Sequence, residues 1–242
     1  MKSFTVPEFA SLPPGGQAVV VGAGGGLGSA FLTLLDGTER FAAVTGFGRK
    51  SRPALDLTDE SSIAAAAQAV KQKNADLRLV IDATGFLHDG AFQPEKSWRE
   101  LDLAHFAKAF AVNATGPALL MKHFLPLLPR EGKAVFATLS AKVGSIGDNQ
   151  LGGWYAYRAS KAALNQLVRT AAIELKRRRP QALCLALHPG TVDTGLSAPF
   201  SKQGLELQRP EEAAARLLAL IDSLEAEASG GFYSYRGERL PW

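Results

Sequence analysis

The stretch Gln17-Ala18-Val19-Val20-Val21-Gly22-Ala23-Gly24-Gly25-Gly26-Leu27-Gly28, running on into Ser29 to Leu35, decides the fold. Gln17 to Val21 is a short apolar run rich in β-branched residues, the pattern of a buried strand. Ser29 to Leu35 has the apolar spacing of a helix. The glycines between them let the backbone come close to a ligand, and the start of the helix offers free N–H groups and a favourable dipole. Strand, glycine turn and helix together read as a phosphate-binding arrangement. Gly22, Gly26 and Gly28, with Leu27 inside the turn, give G-x-x-x-G-x-G rather than the usual dinucleotide spacing G-x-G-x-x-G. The plainer reading is a glycine turn with no ligand.

Downstream, strand and helix patterns alternate. Ala42 to Phe47 reads as a strand ending in Gly48-Arg49-Lys50. NAD sites usually carry an acid about 20 residues past the glycines, on the ribose 2′-hydroxyl. Here that place is basic, and Arg49 would pair with a 2′-phosphate. NADP(H) is therefore expected over NAD(H), which stays admissible; a solvated basic loop is the alternative. Asp56-Leu57-Thr58-Asp59 leads into an Ala-rich helix from Glu60 to Gln72, capped by Thr58 or Asp59. Leu77 to Ile81 is a strand ending in the small-residue turn Asp82-Ala83-Thr84-Gly85, open to a flat ligand.

Leu101 to Leu125 is helical but interrupted at Asn113-Ala114-Thr115-Gly116-Pro117, where a kink is expected. Asn113 would either stabilise that kink through its amide or position a water. Lys133 to Leu139 is a strand with Ser140 at its carboxyl end, where ligand sites of such sheets lie. Ala182 to Leu187 is another, followed by His188-Pro189-Gly190-Thr191-Val192-Asp193-Thr194, and then by a loop from Gly195 to Leu207. A helix from Pro210 to Leu224 and a strand from Gly231 to Tyr235 complete the chain. This alternation predicts an α/β fold, a parallel sheet covered by helices on both faces. Residues 17–242 form one domain in this reading, and residues 1–16 a lead-in outside the core.

The chemistry sits in Tyr157-Arg158-Ala159-Ser160-Lys161. Residues four apart share a helix face, so Tyr157 and Lys161 present a phenol and an ammonium side by side. A neighbouring cation favours the phenolate and lowers the phenol's pKa, which suits a proton transfer coupled to carbonyl reduction or alcohol oxidation. Alone, Tyr-x-x-x-Lys is equally a surface pair on an amphipathic helix.

Composition narrows the rest. The 242 residues are 46% hydrophobic and 21% charged, which is ordinary for a globular protein. The single Cys184 lies in an apolar run, so it reads as a core residue; no internal disulfide can form, and a reducing, cytoplasmic setting is expected. The net charge of +4 peaks at Lys176-Arg177-Arg178-Arg179, a helix C-terminus where cations are favoured, so no nucleic-acid partner is expected. No run of eighteen apolar residues occurs, so no membrane span is expected. The N-terminus lacks the pattern of a secretory signal.

Taken in order, these motifs resemble the short-chain dehydrogenase/reductase family, and Gly144-Ser145-Ile146-Gly147-Asp148-Asn149 with Tyr155-Ala156-Tyr157-Arg158 resembles its C-factor-like subgroup. The resemblance implies a Rossmann-type doubly wound sheet. It implies Tyr157 as proton donor or acceptor, Lys161 on the nicotinamide ribose, and Asn113 holding a relay water. Gly22, Gly26, Leu27 and Gly28 would line the cofactor, with Asp56 and Leu57 at the adenine and Ala83, Thr84 and Gly85 as a wall. Pro189, Gly190, Thr191 and Thr194 would reach the nicotinamide amide and the pyrophosphate.

Two departures stand out. Asp82-Ala83-Thr84-Gly85 replaces the family's Asn-Asn-Ala-Gly, and Ala141 stands where the catalytic Ser belongs. Ser140, one position earlier, is the preferred substitute; Ser145 and no serine are the alternatives, because a one-residue slip turns a side chain to the other face of a strand unless the strand end is bulged. The expected activity is NADP(H)-dependent interconversion of a small or apolar carbonyl compound and its alcohol. A non-catalytic NADP(H)-binding sensor or signalling protein of the same fold is the competing reading. The family's habit of pairing its two long helices implies a homodimer or homotetramer.

Overall fold

Strand β1 (Gly16–Val21) is buried along its whole length. It is flanked by β2 (Phe41–Phe47) and β3 (Leu77–Asp82). With β4 (Ala134–Leu139), β5 (Ala182–His188) and β8 (Phe232–Ser234) they make one parallel sheet in the order β2-β1-β3-β4-β5-β8. The molecule is seen here as a computed structural model that describes residues 7–197 and 207–242. The chain runs outward from β1 to β2 and then returns to lay β3 on the other side of β1. That reversal opens a crevice at the carboxyl ends of β1 and β3, the place where doubly wound sheets bind ligands.

Two apolar layers sandwich the sheet. Helices α1 (Gly26–Asp36) and α6 (Pro210–Ser223) cover one face, through Phe31, Leu35, Leu217 and Ile221 against Val20, Leu79 and Leu185. Helices α2 (Glu60–Lys71), α4 (Gly116–Phe124) and α5 (Tyr155–Lys176) cover the other, through Ile63, Phe124, Leu164 and Val168 against Val19, Val80 and Phe136. Asp59 caps α2, its carboxylate accepting the Ser61 N–H. Cys184 is fully buried in the second layer, as its apolar run predicts.

The interruption expected near Asn113 is real. Helix α3 (Leu103–Phe110) and α4 are joined by a π-helical turn, Ala111–Thr115. Such a turn widens the backbone and bends the helix. Gly116 follows because a Cβ there would lie 2.7 Å from Leu57 Cβ.

The lead-in is not outside the core. Phe9 and Leu12 are essentially fully buried, and the Phe9 ring meets Phe41 edge-on at 5.3 Å between centroids. Arg40 fastens the segment by donating to the carbonyls of Ala10 and Leu12. The reason is geometric: Phe9 covers the ring of Phe41 at the start of β2. The stretch after β5 also differs from a plain loop, since β6 (Thr191–Val192) pairs with β7 (Leu207–Gln208). The rest of that loop, residues 198–206 with Pro199 and Phe200, lies outside the described residues.

If Phe9 is a core residue, Phe9→Ala should cost about 3–5 kcal/mol, the usual range for a buried phenylalanine. Urea unfolding checks this; a change below about 1 kcal/mol would return the segment to the surface.

Candidate active site

The glycine turn is built for close approach. Gly22 has φ +83°, and a Cβ on it would sit 3.0 Å from Thr84 Cγ2 and 3.1 Å from the Ala83 backbone. A Cβ on Gly28 would lie 2.1 Å from the Gly22 carbonyl oxygen, so the first turn of α1 folds directly onto the end of β1. Helix α1 has no side-chain cap at Gly25, which leaves its N-terminal N–H groups, Leu27 among them, to an outside acceptor. A Cβ on Gly26 would touch Thr194 Cγ2 at 2.9 Å, so the turn after β5 closes over the glycines. An open helix N-terminus with a side-chain-free floor fits a dinucleotide pyrophosphate.

The remaining cofactor candidates are placed unequally. Arg49 is exposed at the end of β2 and near enough for its charge to act on Asp56. The Asp56 carboxyl is held below its ordinary range, chiefly by the Thr58 hydroxyl at 2.7 Å and the Thr58 N–H at 2.9 Å. Both bonds fall on Oδ1, which orients the carboxylate at the approach to α2 and leaves Oδ2 outside them. Leu57 is buried beneath Gly116. Pro189 and Gly190 form a tight turn: Gly190 has φ +79°, and Gln208 donates to the Pro189 carbonyl at 3.0 Å. Thr191 lies in β6.

Gly85 marks where the catalytic candidates converge. A Cβ on it would lie 3.8 Å from Lys161 Nζ, 3.9 Å from Asn113 Oδ1 and 3.9 Å from Leu196 Cδ2. Lys161 is 2% exposed and donates to the Leu139 carbonyl at 2.7 Å. Its Nζ lies 5.9 Å from the centre of the Tyr157 ring.

The expectation that this lysine lowers the tyrosine pKa does not hold for the protein alone. Burial pushes the Tyr157 phenol up to about 12, and at this distance the ammonium does not offset it. Burial likewise brings Lys161 down to about 8, while the charge of Asp82 works the other way. Asp82 is a second buried group that the sequence pattern underrated. Its carboxyl, fully buried at the end of β3, accepts from Thr84 Oγ1 at 2.5 Å and Thr138 Oγ1 at 2.6 Å, and burial raises its pKa.

Asn113 is buried and makes three side-chain hydrogen bonds. Its Oδ1 accepts the Phe86 N–H at 2.7 Å, and its Nδ2 donates to the Phe86 carbonyl at 2.8 Å and to Ser160 Oγ at 3.0 Å. The amide therefore ties the π turn to the loop after β3 and to α5, rather than bridging the kink itself.

Ser140 is turned away from the role expected of it. Its hydroxyl donates to Asn165 Oδ1 at 2.7 Å, and Asn165 is two helical turns along α5 from Tyr157. Strand alternation accounts for it: Phe136 packs in the layer of α5, β4 runs without a register shift to Leu139, and Ser140, four residues past Phe136, meets α5 at Asn165. Ser145 is also buried, with Oγ accepting the Asp148 N–H at 3.1 Å.

The two shifted groups give stability a definite pH dependence. Between about pH 8 and about pH 10.4 the unfolded lysine still holds a proton that folded Lys161 has lost, so stability should rise with pH across that window. Tyr157 contributes the opposite slope above about pH 10, where the unfolded phenol ionises and the folded one does not. Lys161→Met should abolish the first rise in urea midpoints; an unchanged pH profile would mean that Lys161 titrates as an exposed lysine.

Comparisons with known proteins bear on the family and the fold. A family model described as enoyl-(acyl carrier protein) reductase matches residues 33–223. The C-signal protein of Myxococcus xanthus is 37% identical over 144 residues, 59% of this chain and 82% of that protein. A Rhodococcus 1-hydroxy-2-glutathionyl-2-methyl-3-butene dehydrogenase is 33% identical over 209 residues, 86% of each chain. Among solved structures, an NADPH-bound carbonyl reductase from chicken fatty liver superposes with a TM-score of 0.81 at 26% identity, covering 95% of this chain and all of that one. The Sniffer carbonyl reductase of D. melanogaster shares the fold, with a TM-score of 0.79 at 22% identity. No described helix is long and apolar enough to cross a membrane. The sandwiched parallel sheet, the glycine turn at its switch point and the Tyr157–Lys161 pair belong to a member of the short-chain dehydrogenase/reductase family of NAD(P)-dependent oxidoreductases.

Proposed function

We propose that this chain is an NADP(H)-dependent oxidoreductase that interconverts a small apolar carbonyl compound and its alcohol, with Tyr157 as general acid and base. The observation that carries this reading is the convergence of Gly85, Lys161 and Asn113 beside buried Tyr157, at the carboxyl ends of β3 and β4. When bound, the cofactor supplies or accepts a hydride at the nicotinamide. The residues of the chain bind, orient and move the proton.

Lys161 uses one of its three donors on Leu139, which leaves two for ribose hydroxyls. Tyr157, protonated in its dry setting, is suited to donate to a carbonyl oxygen as that oxygen gains charge. The lysine's charge matters most at that moment, when a phenolate forms in a site with little water to stabilise it. With Ser140 held by Asn165, Tyr157 orients the substrate oxygen without help from that serine. Arg49 supports a preference for NADP(H), because an exposed guanidinium at the end of β2 matches a 2′-phosphate. The chicken carbonyl reductase is NADPH-bound, which supports the same choice. Leu196 beside Gly85 and the Trp154 ring 6.2 Å from that of Tyr157 favour an apolar substrate. Helix α5, with Ile173 exposed on its outer side, would pair two copies into a dimer.

The orientation of Ser140 favours a second reading, an NADP(H)-binding sensor without turnover. The two readings separate on NADPH oxidation over a panel of aldehydes, ketones and quinones. Tyr157→Phe should lower turnover by about 10²–10⁴-fold and leave NADPH affinity nearly unchanged. Absence of wild-type turnover on the whole panel, with binding intact, would favour the sensor. Arg49→Ala should weaken NADPH by about tenfold or more, the worth of one charge-assisted contact, and leave NADH unaffected. Equal loss for both dinucleotides would remove the 2′-phosphate role.

A further inference from the structure

Helix α5 carries Tyr157 in its first turn, and its N-terminus has an unusual construction. The residue in the capping position, Trp154, has a left-handed backbone (φ +53°) and offers no side-chain acceptor. Gly152 and Gly153 before it are also left-handed, at φ +64° and +65°. Three such residues in a row, the last of them bulky, need outside support, because a large side chain disfavours that conformation.

The support comes from Glu95, 61 residues upstream of Ala156. Its carbonyl accepts the Trp154 N–H at 2.5 Å. Its carboxylate accepts the Ala156 N–H, with both oxygens at 3.3 Å. Glu95 is 2% exposed, and its Oε1 lies 3.1 Å from Nδ1 of His105, itself 3% exposed. The His105 ring stacks on Phe92 at 5.0 Å and meets Phe86 edge-on at 6.0 Å. Phe86 is the residue whose backbone Asn113 grips from both sides. A buried carboxylate needs partners, and the Ala156 N–H and the His105 ring supply them.

We propose that Glu95 is a positioning residue for the reaction: it caps the catalytic helix in trans and so fixes where the Tyr157 hydroxyl sits. The proposal rests on the role given to Tyr157 above. The orphan N–H groups of a helix's first turn fray unless an acceptor holds them. Ala156 immediately precedes Tyr157, so freedom at Ala156 passes directly to the phenol. A displacement of about 1 Å in a catalytic group is enough to cost about 10²-fold in rate. The same carboxylate adds negative charge at the positive end of the helix dipole, which favours an ordered first turn. The side chain faces the helix backbone, so Glu95 acts on the reaction only through Tyr157.

The test compares Glu95→Gln, Glu95→Asp and Glu95→Ala by steady-state NADPH oxidation and by NADPH fluorescence titration. An amide keeps the reach: Oε1 can take the Ala156 N–H while Nε2 donates to the other tautomer of His105. An aspartate keeps the charge and loses the reach. The expected order of kcat is wild type, then Gln within a few-fold, then Asp, then Ala lowest by about tenfold or more, with NADPH affinity unchanged throughout. Should Glu95→Ala not fold, the order of Gln above Asp still decides. Asp equal to or above Gln, or kcat and NADPH affinity falling together, would overturn the proposal. If Tyr157→Phe keeps full turnover, it is the reading of Tyr157 that fails, which the Glu95 series alone would not show.

Discussion

The Lys161 ammonium, buried with the Leu139 carbonyl as its direct hydrogen-bond partner, is the contact on which the site depends. A cation out of water is costly, and every neighbour here reduces that cost in a different way. Leu139 ends β4 and supplies the oxygen. Asp82 ends β3 and supplies opposing charge from a carboxyl locked by Thr84 and Thr138. Gly144 allows the contact, since a Cβ there would lie 2.6 Å from Lys161 Cβ. The donors left over on Lys161 point the chemistry toward a hydroxyl-bearing ligand. Under the proposed function a dinucleotide ribose would fill that need.

The same burial explains why the protein alone is not poised for proton transfer. Tyr157 and Lys161 are both driven toward their neutral forms. Under the proposed function, charge developing on a substrate oxygen would reverse that preference, because the ammonium and the phenol would then stabilise it in a site with little competing water. The wall holding these groups in place is an interlocked set. Asn113 joins the π turn to Phe86 and Ser160, and Glu95 joins the loop after β3 to the start of α5. Helix α5 is therefore fastened at its first turn by side chains from elsewhere, not by a cap of its own.

What could be read from the sequence was what is local. Val19-Val20-Val21 and the glycines that follow declare a strand and a turn by their neighbours alone, and Tyr157 with Lys161 declare a shared helix face by their spacing. Gly116-Pro117 announced the break in the long helix, and Ala141 announced a displaced serine. The hidden features join residues far apart in the chain. Nothing near Glu95 indicates that it reaches Ala156, and nothing near Ser140 indicates Asn165. Phe9 and Leu12 were missed because two isolated apolar residues among prolines and glycines carry no period; they are core only because β2 brings Phe41 to them. The hold of Thr58 on Asp56 Oδ1 is local, two residues along the chain, yet the Asp56-Leu57-Thr58 stretch does not declare it by pattern.

The central claim is that the glycine turn, Gly85 and Lys161 form one dinucleotide site. A fluorescence titration of the purified wild-type protein with NADPH and, separately, NADH tests it most directly. The account predicts saturable binding at one site per chain, with NADPH the tighter ligand. Failure of both dinucleotides to bind would contradict it, since a turn shaped around Gly22 and Gly28 would then hold no phosphate at all.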